Sequence, residues 1–317
     1  MRHRRNRRSR RRSRSDFGWL GIDTERRALD GLFKCGLAKE MHEVSLDFPW
    51  GSEKRPFTWD LERSLHSEGK LPWPLIPTTV QDTGNCVAAA LAQAGEKRHV
   101  IELSLGREEE TFREWYIPWI YAVSRNQVGG GMKGAGSTGA WGAEAVSTYG
   151  VLFSDDPNVP PYGGYSDRWG HRRNAGRRPE YQEFFEEASD NKIVVARLTE
   201  VQQMIDCLEA GKMITIASSR GFKDAPRLYK GFQVFVPSGV WYHQMHITDV
   251  MYDPFVAFRR QNQWGPDAHG EPLNGETPGG AWNLAEDLER EIRNDECEIY
   301  AYFDFEGEPS EPDPGIL

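Results

Sequence analysis

The chain has 317 residues, of which 38% are hydrophobic and 12% aromatic, which is enough for the core of one large domain or two modest ones. The formal net charge of −9 hides an asymmetry, because residues 1–15 carry nine arginines and no acidic residue and leave 30 basic against 48 acidic residues in the rest. No apolar run reaches the length of a membrane span, and the four cysteines have neither a CxxC pair nor metal-ligand spacing. These features argue against a membrane protein, a disulfide framework and a cysteine metal site, and they favour a reducing cytoplasm.

Four segments follow from composition. Residues 1–15 have too much like charge to fold alone, and we expect a disordered arm there. Residues 16–70 are predicted to be an extension, either a propeptide-like segment or a strap across the main domain. Residues 71–306 form the predicted main domain, and residues 307–317 an acidic, proline-rich tail.

A single cysteine stands at the start of a helix-forming run. The prolines of Leu71–Pro77 predict an extended lead-in, and the turn-forming residues 81–85 precede the alanine-rich run 87–94. Cys86 should therefore lie in the first turn of a helix, where unpaired N–H groups and the helix dipole favour a thiolate and a depressed pKa. The alternative is a small buried hydrophobe, the usual role of an isolated cysteine.

The first half of the chain is otherwise helical in pattern. Aromatic and aliphatic residues at helical spacing predict a core-facing helix over residues 108–125, and a second helix is expected over residues 143–149. The glycines between them, over residues 129–139, match neither GxGxxG nor GxxxxGK[ST], so nucleotide binding is not expected. Residues 157–178 read as a long surface loop.

The second half changes to strands. Two helices, over 180–188 and 200–210, alternate with strands, and the later strands follow one another closely; the predicted strands cover residues 193–196, 213–217, 233–236, 245–252, 255–259 and 298–305. Helices first and an antiparallel sheet later indicate an α+β fold with an active cleft between a helical half and a barrel-like half.

Two polar features interrupt these late strands. His246 opens an apolar strand, and Asn262 is followed by Trp264 and Gly265 at a strand end. His243 competes with His246, since residues three apart on a strand face opposite sides. We favour His246, because an apolar strand continues after it and the 16 residues to Asn262 suit a returning hairpin.

The remaining histidines carry less information. A metal cluster of His243, His246 and Asp249 is disfavoured by the strand alternation, so no metal or other cofactor is expected. The other histidines have polar neighbours and are predicted to be surface residues: His66, His99, His171 and His269.

Taken in order, these pieces resemble the papain-like cysteine peptidases over roughly residues 71–305. Gln81 and Cys86 resemble the family's glutamine and nucleophile, and the run 136–152 its glycine loop, helix and turn. His246 resembles the strand-leading histidine, and Asn262-Gln263-Trp264-Gly265 resembles the Asn-Ser-Trp-Gly motif.

The resemblance implies a role for each residue. Cys86 would attack a carbonyl carbon, and His246 would pair with the thiolate and then protonate the leaving amine. Asn262 would fix the tautomer of the histidine and Trp264 would shield their hydrogen bond. Gln81 would donate to the oxyanion together with the Cys86 N–H.

Substrate contacts are implied for Gly139 and Ala140, and a peptide or protein is the implied substrate. The chain departs from the family pattern in several places. Val87 stands where the family has an aromatic residue after the nucleophile, the upstream disulfide cysteine is missing, and the Gln81 to Cys86 spacing is one residue shorter. Ala140 stands in place of the second glycine of the substrate-binding pair, and the N-terminal extension lacks the family's propeptide helix pattern. The sequence does not define the oligomeric state.

A second class of function stays open. The chain could be an inactive papain-fold structural or interaction protein whose arm, residues 1–15, binds nucleic acid through its arginines, as in a phage or virion component. A virion-associated peptidase would satisfy both interpretations.

Overall fold

A computed structural model describes most of the chain between residues 54 and 305. The described residues are Trp19, 39–40, Leu46, 54–81, 83–106, 111–131, 134–159 and 182–305. The predicted arm (1–15), the tail (307–317) and most of the loop 157–178 lie outside them.

Seven α-helices occur in the described ranges: α1 Thr58–Ser67, α2 Cys86–Ser104, α3 Ile117–Val123, α4 Gly139–Glu144, α5 Gln182–Ser189, α6 Val201–Glu209 and α7 Ala285–Asn294. Helices α3 and α4 each continue into a π-helical turn, Ser124–Val128 and Ala145–Tyr149. The predicted helix over 108–125 begins only at Ile117, because Trp115 instead forms a β-bridge with Phe153 and Pro118 suits a helix start.

The strands form one mostly antiparallel sheet. Among the described residues they are β1 Lys39–Glu40, β2 Ile193–Leu198, β3 Met213–Phe222, β4 Arg227–Tyr229, β5 Phe232–Val234, β6 Pro237–Met251, β7 Ala257–Gln261, β8 Gly280–Leu284 and β9 Cys297–Phe305. Their order in the sheet is β1-β2-β9-β3-β6-β7-β8-β5-β4. The predicted strand over 245–252 is part of β6, which begins eight residues earlier and so contains both His243 and His246.

Two main hydrophobic clusters divide the structure. One joins the buried faces of α2, α3 and α4 with residues of β2 and β9, and the other packs α6 and α7 on the sheet. The predicted α+β class is confirmed: a helical half lies first in the chain and the sheet follows.

Helix α2 holds the two halves together. It is alanine-rich and nearly all of its residues are buried, which lets the backbone approach its neighbours closely. It packs on α1 and also on β3 and β6, so its first residue, Cys86, lies where the helical half meets the sheet.

Helix α1 falls in the predicted extension but packs as part of the main body. Leu65 shares a hydrophobic cluster with Leu71, Ile76, Val100 and Leu103. In the described parts of the chain, no helix combines the length and the apolar character needed to cross a membrane.

Candidate active site

Cys86 is the first residue of α2 and is fully buried. Its Sγ accepts a hydrogen bond of 3.4 Å from the backbone N–H of Gln244, which follows His243 on β6. The predicted position at a helix start is confirmed. The backbone of the strand that carries both candidate histidines therefore touches the sulfur.

The predicted depression of the Cys86 pKa is wrong for this structure. Burial raises the pKa of Cys86 to about 12, although the backbone N–H groups of Gln244, Val87 and Cys86 itself each lower it. The desolvation free energy of the thiolate is larger than the stabilisation that hydrogen bonds from these neutral N–H groups provide. A thiolate here needs an adjacent positive charge or the entry of a polar substrate.

The histidine that meets Asn262 is His243. Nε2 of His243 lies 2.8 Å from Oδ1 of Asn262, and both side chains are buried. The expectation that His246 makes this contact is corrected. Asn262 and Gln263 are neighbours, so their side chains point to opposite sides of the chain. Asn262 therefore meets His243 on one face of β6, and Gln263 meets His246 on the other.

His246 faces the other side. Its Nδ1 lies 2.9 Å from Nε2 of Gln263, and burial lowers the pKa of His246 to about 3, helped by the positive charges of Lys97 and Arg259. A histidine that stays neutral at ordinary pH cannot form an ion pair with a thiolate. The 16-residue spacing suggests a hairpin that returns Asn262 beside His246. The pairing of β6 and β7 shifts register between Ile247 and Asp249, so His246 instead lies opposite Gln261.

Trp264 lies where a shield for the histidine would lie. Its ring stacks on His243 with a centroid distance of 4.9 Å and an interplanar angle of 28°. Trp241 also packs against Trp264, with a centroid distance of 4.9 Å. The two indoles form an apolar wall beside the buried pair of His243 and Asn262.

Asn262 has a second ring as its partner, which sequence reasoning missed. Nδ2 of Asn262 lies 2.9 Å from Nε2 of His269, and Nδ1 of His269 lies 3.2 Å from the backbone oxygen of Asp224. The prediction that His269 is a surface residue is wrong, because the residue is only 4% exposed. Its polar sequence context, Pro266 to Gly270, gave no sign of burial.

Gln81 is held close to the asparagine loop. Its backbone N–H donates to the oxygen of Gln263, while Nε2 of its side chain donates to the oxygen of Thr83 at 2.6 Å. One of the two amide hydrogens that could serve an oxyanion is therefore engaged in the loop. The side-chain amides of Asn85 and Gln244 are buried without a hydrogen-bond partner among the described residues.

The substrate contacts implied for Gly139 and Ala140 stay a prediction. Both residues are in α4, and Ala140 packs in the core of the helical half. The extended backbone lies earlier, at Ser137, which forms a parallel bridge with Trp19. Thr138 then caps α4 by accepting a hydrogen bond from Trp141 N–H.

Trp19 covers the cysteine. Its backbone N–H donates to the oxygen of Tyr242 at 3.1 Å, and the two rings lie 5.8 Å apart. The same small cluster contains Cys86, Val87 and Ala217. A residue from far upstream thus bridges the glycine loop and the strand of His243, in the same cluster as the buried Cys86.

A cavity of about 550 Å³ opens beside Trp264 and His269. Trp264 and His269 line one part of it, and Asp224, Asp267 and Gln233 supply polar groups. No group of three His, Cys, Asp or Glu side chains within the described ranges is arranged to hold a metal ion.

These features define a papain-like fold. The chain is similar to the structure of xylellain, a cysteine protease from Xylella fastidiosa, with a TM-score of 0.55, 15% identity, and coverage of 93% of this chain and 98% of that one. It is also similar to procathepsin B S9 from Trypanosoma congolense, with a TM-score of 0.50, 12% identity, and coverage of 90% and 85%. No protein-family model and no curated protein matches the chain.

Proposed function

We propose that the protein is a cysteine peptidase, or a related acyl-transfer enzyme, that acts on a peptide bond through Cys86, His243 and Asn262. The observation that carries the proposal is the buried hydrogen bond between His243 and Asn262, on the strand whose next N–H contacts the Cys86 sulfur. The papain-like fold supports the same assignment.

The chemistry follows from these positions. The Cys86 thiol gives its proton to Nδ1 of His243 while sulfur bonds to the substrate carbonyl carbon. The C–N bond then breaks and the leaving amine takes that proton from His243. Water, deprotonated by His243, attacks the thioester; the S–C bond breaks, the acid leaves, and the proton returns to sulfur.

The developing oxyanion needs preorganised donors. The Cys86 backbone N–H is one, and the remaining hydrogen of Gln81 Nε2 is the second donor in our proposal. Each such donor is typically worth about 3 kcal/mol in the transition state. The unpaired amide of Asn85, which immediately precedes the nucleophile, is the competing candidate for the second place.

In the described structure Cys86 is inaccessible to solvent, and Trp19 packs in the cluster around it. In this proposal Trp19 moves away before a substrate reaches the sulfur. We therefore infer that Trp19 itself restricts access to Cys86 until it is displaced.

The decisive test is covalent trapping. We expect an epoxysuccinyl peptide to label Cys86 in the wild-type chain, and the Cys86→Ala variant to remain unlabelled in intact-mass and peptide mass spectrometry. The Cys297→Ala variant is the matched control, since among Cys86, Cys207 and Cys297, the cysteines that the structure describes, Cys297 is the partly exposed one. Equal labelling of the Cys86→Ala variant and the wild type would reject the proposal.

A second function is proposed for the arm. Nine arginines and no acidic residue over residues 1–15 suit binding of nucleic acid without sequence preference, in a virion or elsewhere. We expect an affinity for DNA or RNA that falls steeply with salt and is lost when residues 1–15 are deleted. Unchanged affinity in the deleted chain would remove the arm from this role.

A further inference from the structure

We propose that His269 is a positioning residue that fixes the side-chain amide of Asn262 and, through it, the tautomer of His243. The catalytic consequence rests on the proposed function. The structural statement does not, since it concerns only which nitrogen of each ring carries a proton. Three hydrogen bonds in series carry the argument.

The first bond sets the proton on His269. Its Nδ1 lies 3.2 Å from the backbone oxygen of Asp224, and a carbonyl oxygen can only accept. Nδ1 of His269 therefore carries the hydrogen. In the neutral ring Nε2 then has a lone pair, which accepts a hydrogen bond from Nδ2 of Asn262 at 2.9 Å.

The second and third hydrogen bonds, on either side of the Asn262 amide, fix the tautomer of His243. With Nδ2 of Asn262 donating to His269, Oδ1 must face His243, and it lies 2.8 Å from Nε2 of that ring. An amide oxygen accepts, so Nε2 of His243 carries the hydrogen. The neutral ring then has its lone pair on Nδ1, the nitrogen that takes the thiol proton in the proposed mechanism.

The ring of His269 is held firmly in place. The residue is 4% exposed, and Phe235 packs edge-on against its ring with a centroid distance of 4.8 Å. Trp264 lies 6.2 Å away on the side of His243. The backbone of His269 has φ of 63°, in the left-handed region that non-glycine residues rarely adopt. A conformation of this kind persists where surrounding contacts hold it, often at functional sites.

Without an acceptor at position 269 the amide of Asn262 is free to turn over. Its NH₂ group would then face His243, whose Nε2 would have to accept, and the proton would move to Nδ1. Nδ1 of His243 would then carry an N–H and could not accept the thiol proton. A catalytic histidine held in the wrong tautomer loses most of its activity even when all of the residues keep their positions.

Two variants separate positioning from packing. His269→Gln keeps an acceptor near the place of Nε2 but removes the ring from its aromatic surroundings. His269→Phe keeps a ring among the aromatic side chains but removes the acceptor. If His269 only fills space, the Phe variant should be the better substitute; if it positions Asn262, the Gln variant should be.

The experiment uses the full chain with ¹⁵N-labelled histidine, and the signals are assigned with His243→Gln. In the wild type we expect His269 protonated at Nδ1 and His243 protonated at Nε2. His269→Gln should keep the His243 signal, and His269→Phe should move the proton of His243 to Nδ1. A wild-type His269 protonated at Nε2, or an unchanged His243 in the folded Phe variant, would overturn the inference.

A second readout addresses catalysis separately. The rate of Cys86 labelling by the epoxysuccinyl peptide should fall about tenfold to a hundredfold in His269→Phe and recover to within about threefold of wild type in His269→Gln. If wild-type Cys86 is inert while the ¹⁵N pattern holds, the proposed function fails and the positioning inference stands. If labelling is normal but the ¹⁵N pattern is absent, only the inference fails.

Discussion

His243 and His246 are three residues apart on one strand and their side chains make separate, parallel connections. His243 bonds to Asn262 and His246 bonds to Gln263, so two adjacent amides serve two histidines on opposite faces. Only the first pair lies under the ring of Trp264. The alternation of a regular strand thus separates the candidate catalytic histidine from a structural one.

This separation predicts different effects of two substitutions. His243→Ala should reduce the acylation rate of Cys86 by roughly 10³-fold, because the proton acceptor is lost. His246→Gln should leave it within about threefold of wild type, because His246 faces Gln263. Single-turnover labelling with an electrophilic peptide measures both rates. The reverse order of effects would return the catalytic assignment to His246.

His246 should make stability depend on pH. Burial lowers its pKa to about 3, below the ordinary value of 6.5, so between these values the unfolded chain binds a proton that the folded chain does not. The free energy of unfolding should therefore fall as the pH falls through this window, by at most about 1.4 kcal/mol per pH unit from this group.

Urea unfolding at a series of pH values measures the effect as the difference between wild type and His246→Gln. The variant should lack this contribution, so its free energy of unfolding minus that of the wild type should increase as the pH falls below about 6.5. Parallel curves would contradict the assignment of a buried, neutral His246.

Removing Trp19 should uncover the thiol. We expect Trp19→Ala to raise the rate of Cys86 labelling at least tenfold. A loss of about 1.4 kcal/mol of packing free energy makes the conformation with an accessible thiol ten times more populated. A buried tryptophan side chain contributes more than this. Trp59→Ala is the matched control, because Trp59 is also buried but packs with Phe57 and Trp282. Equal acceleration in both variants would point to general destabilisation.

The oxyanion donors can be separated by paired substitutions. Gln81→Ala should lower the acylation rate about 100-fold if its amide stabilises the oxyanion, while Asn85→Ala should change it less than about fivefold. The difference should appear in the maximal rate and not in substrate affinity, because the interaction forms in the transition state. A larger effect for Asn85→Ala would transfer the role to that residue.

Gly150 should be required for folding. It has φ of 75°, and a Cβ there would clash with the backbone oxygen of Ala188. Gly150→Ala should lower the free energy of unfolding by more than about 3 kcal/mol. Gly69→Ala, with φ of 76° and no atom within 4 Å of the added Cβ, should cost only about 1 kcal/mol of backbone strain. Similar losses in urea unfolding would refute the steric argument.

Local sequence patterns were sufficient for several elements. The turn before an alanine-rich run predicts Cys86 at a helix start, and strand-like runs predict the positions of β2, β3, β5, β6, β7 and β9 and the α+β order, but not β1, β4 and β8. The aromatic run was correctly expected in the core, but its helix starts later than predicted. Helical period reports which residues are buried more reliably than where a helix begins.

The site itself depended on contacts between distant residues. The choice between His243 and His246 follows from how β6 lies beside β7, and the burial of His269 from a loop that folds over Asn262. The covering of Cys86 by Trp19 joins residues 67 positions apart. No local pattern encodes these relationships.

The sequence by itself determined the class of fold, the cysteine at a helix start and the asparagine and tryptophan near a strand end, because these follow from local backbone preferences and hydrophobic period. Only the tertiary structure decided which histidine meets Asn262 and how strongly burial opposes the Cys86 thiolate. Strand register and desolvation are properties of the packed chain, and they arise from neighbours that sequence spacing does not specify.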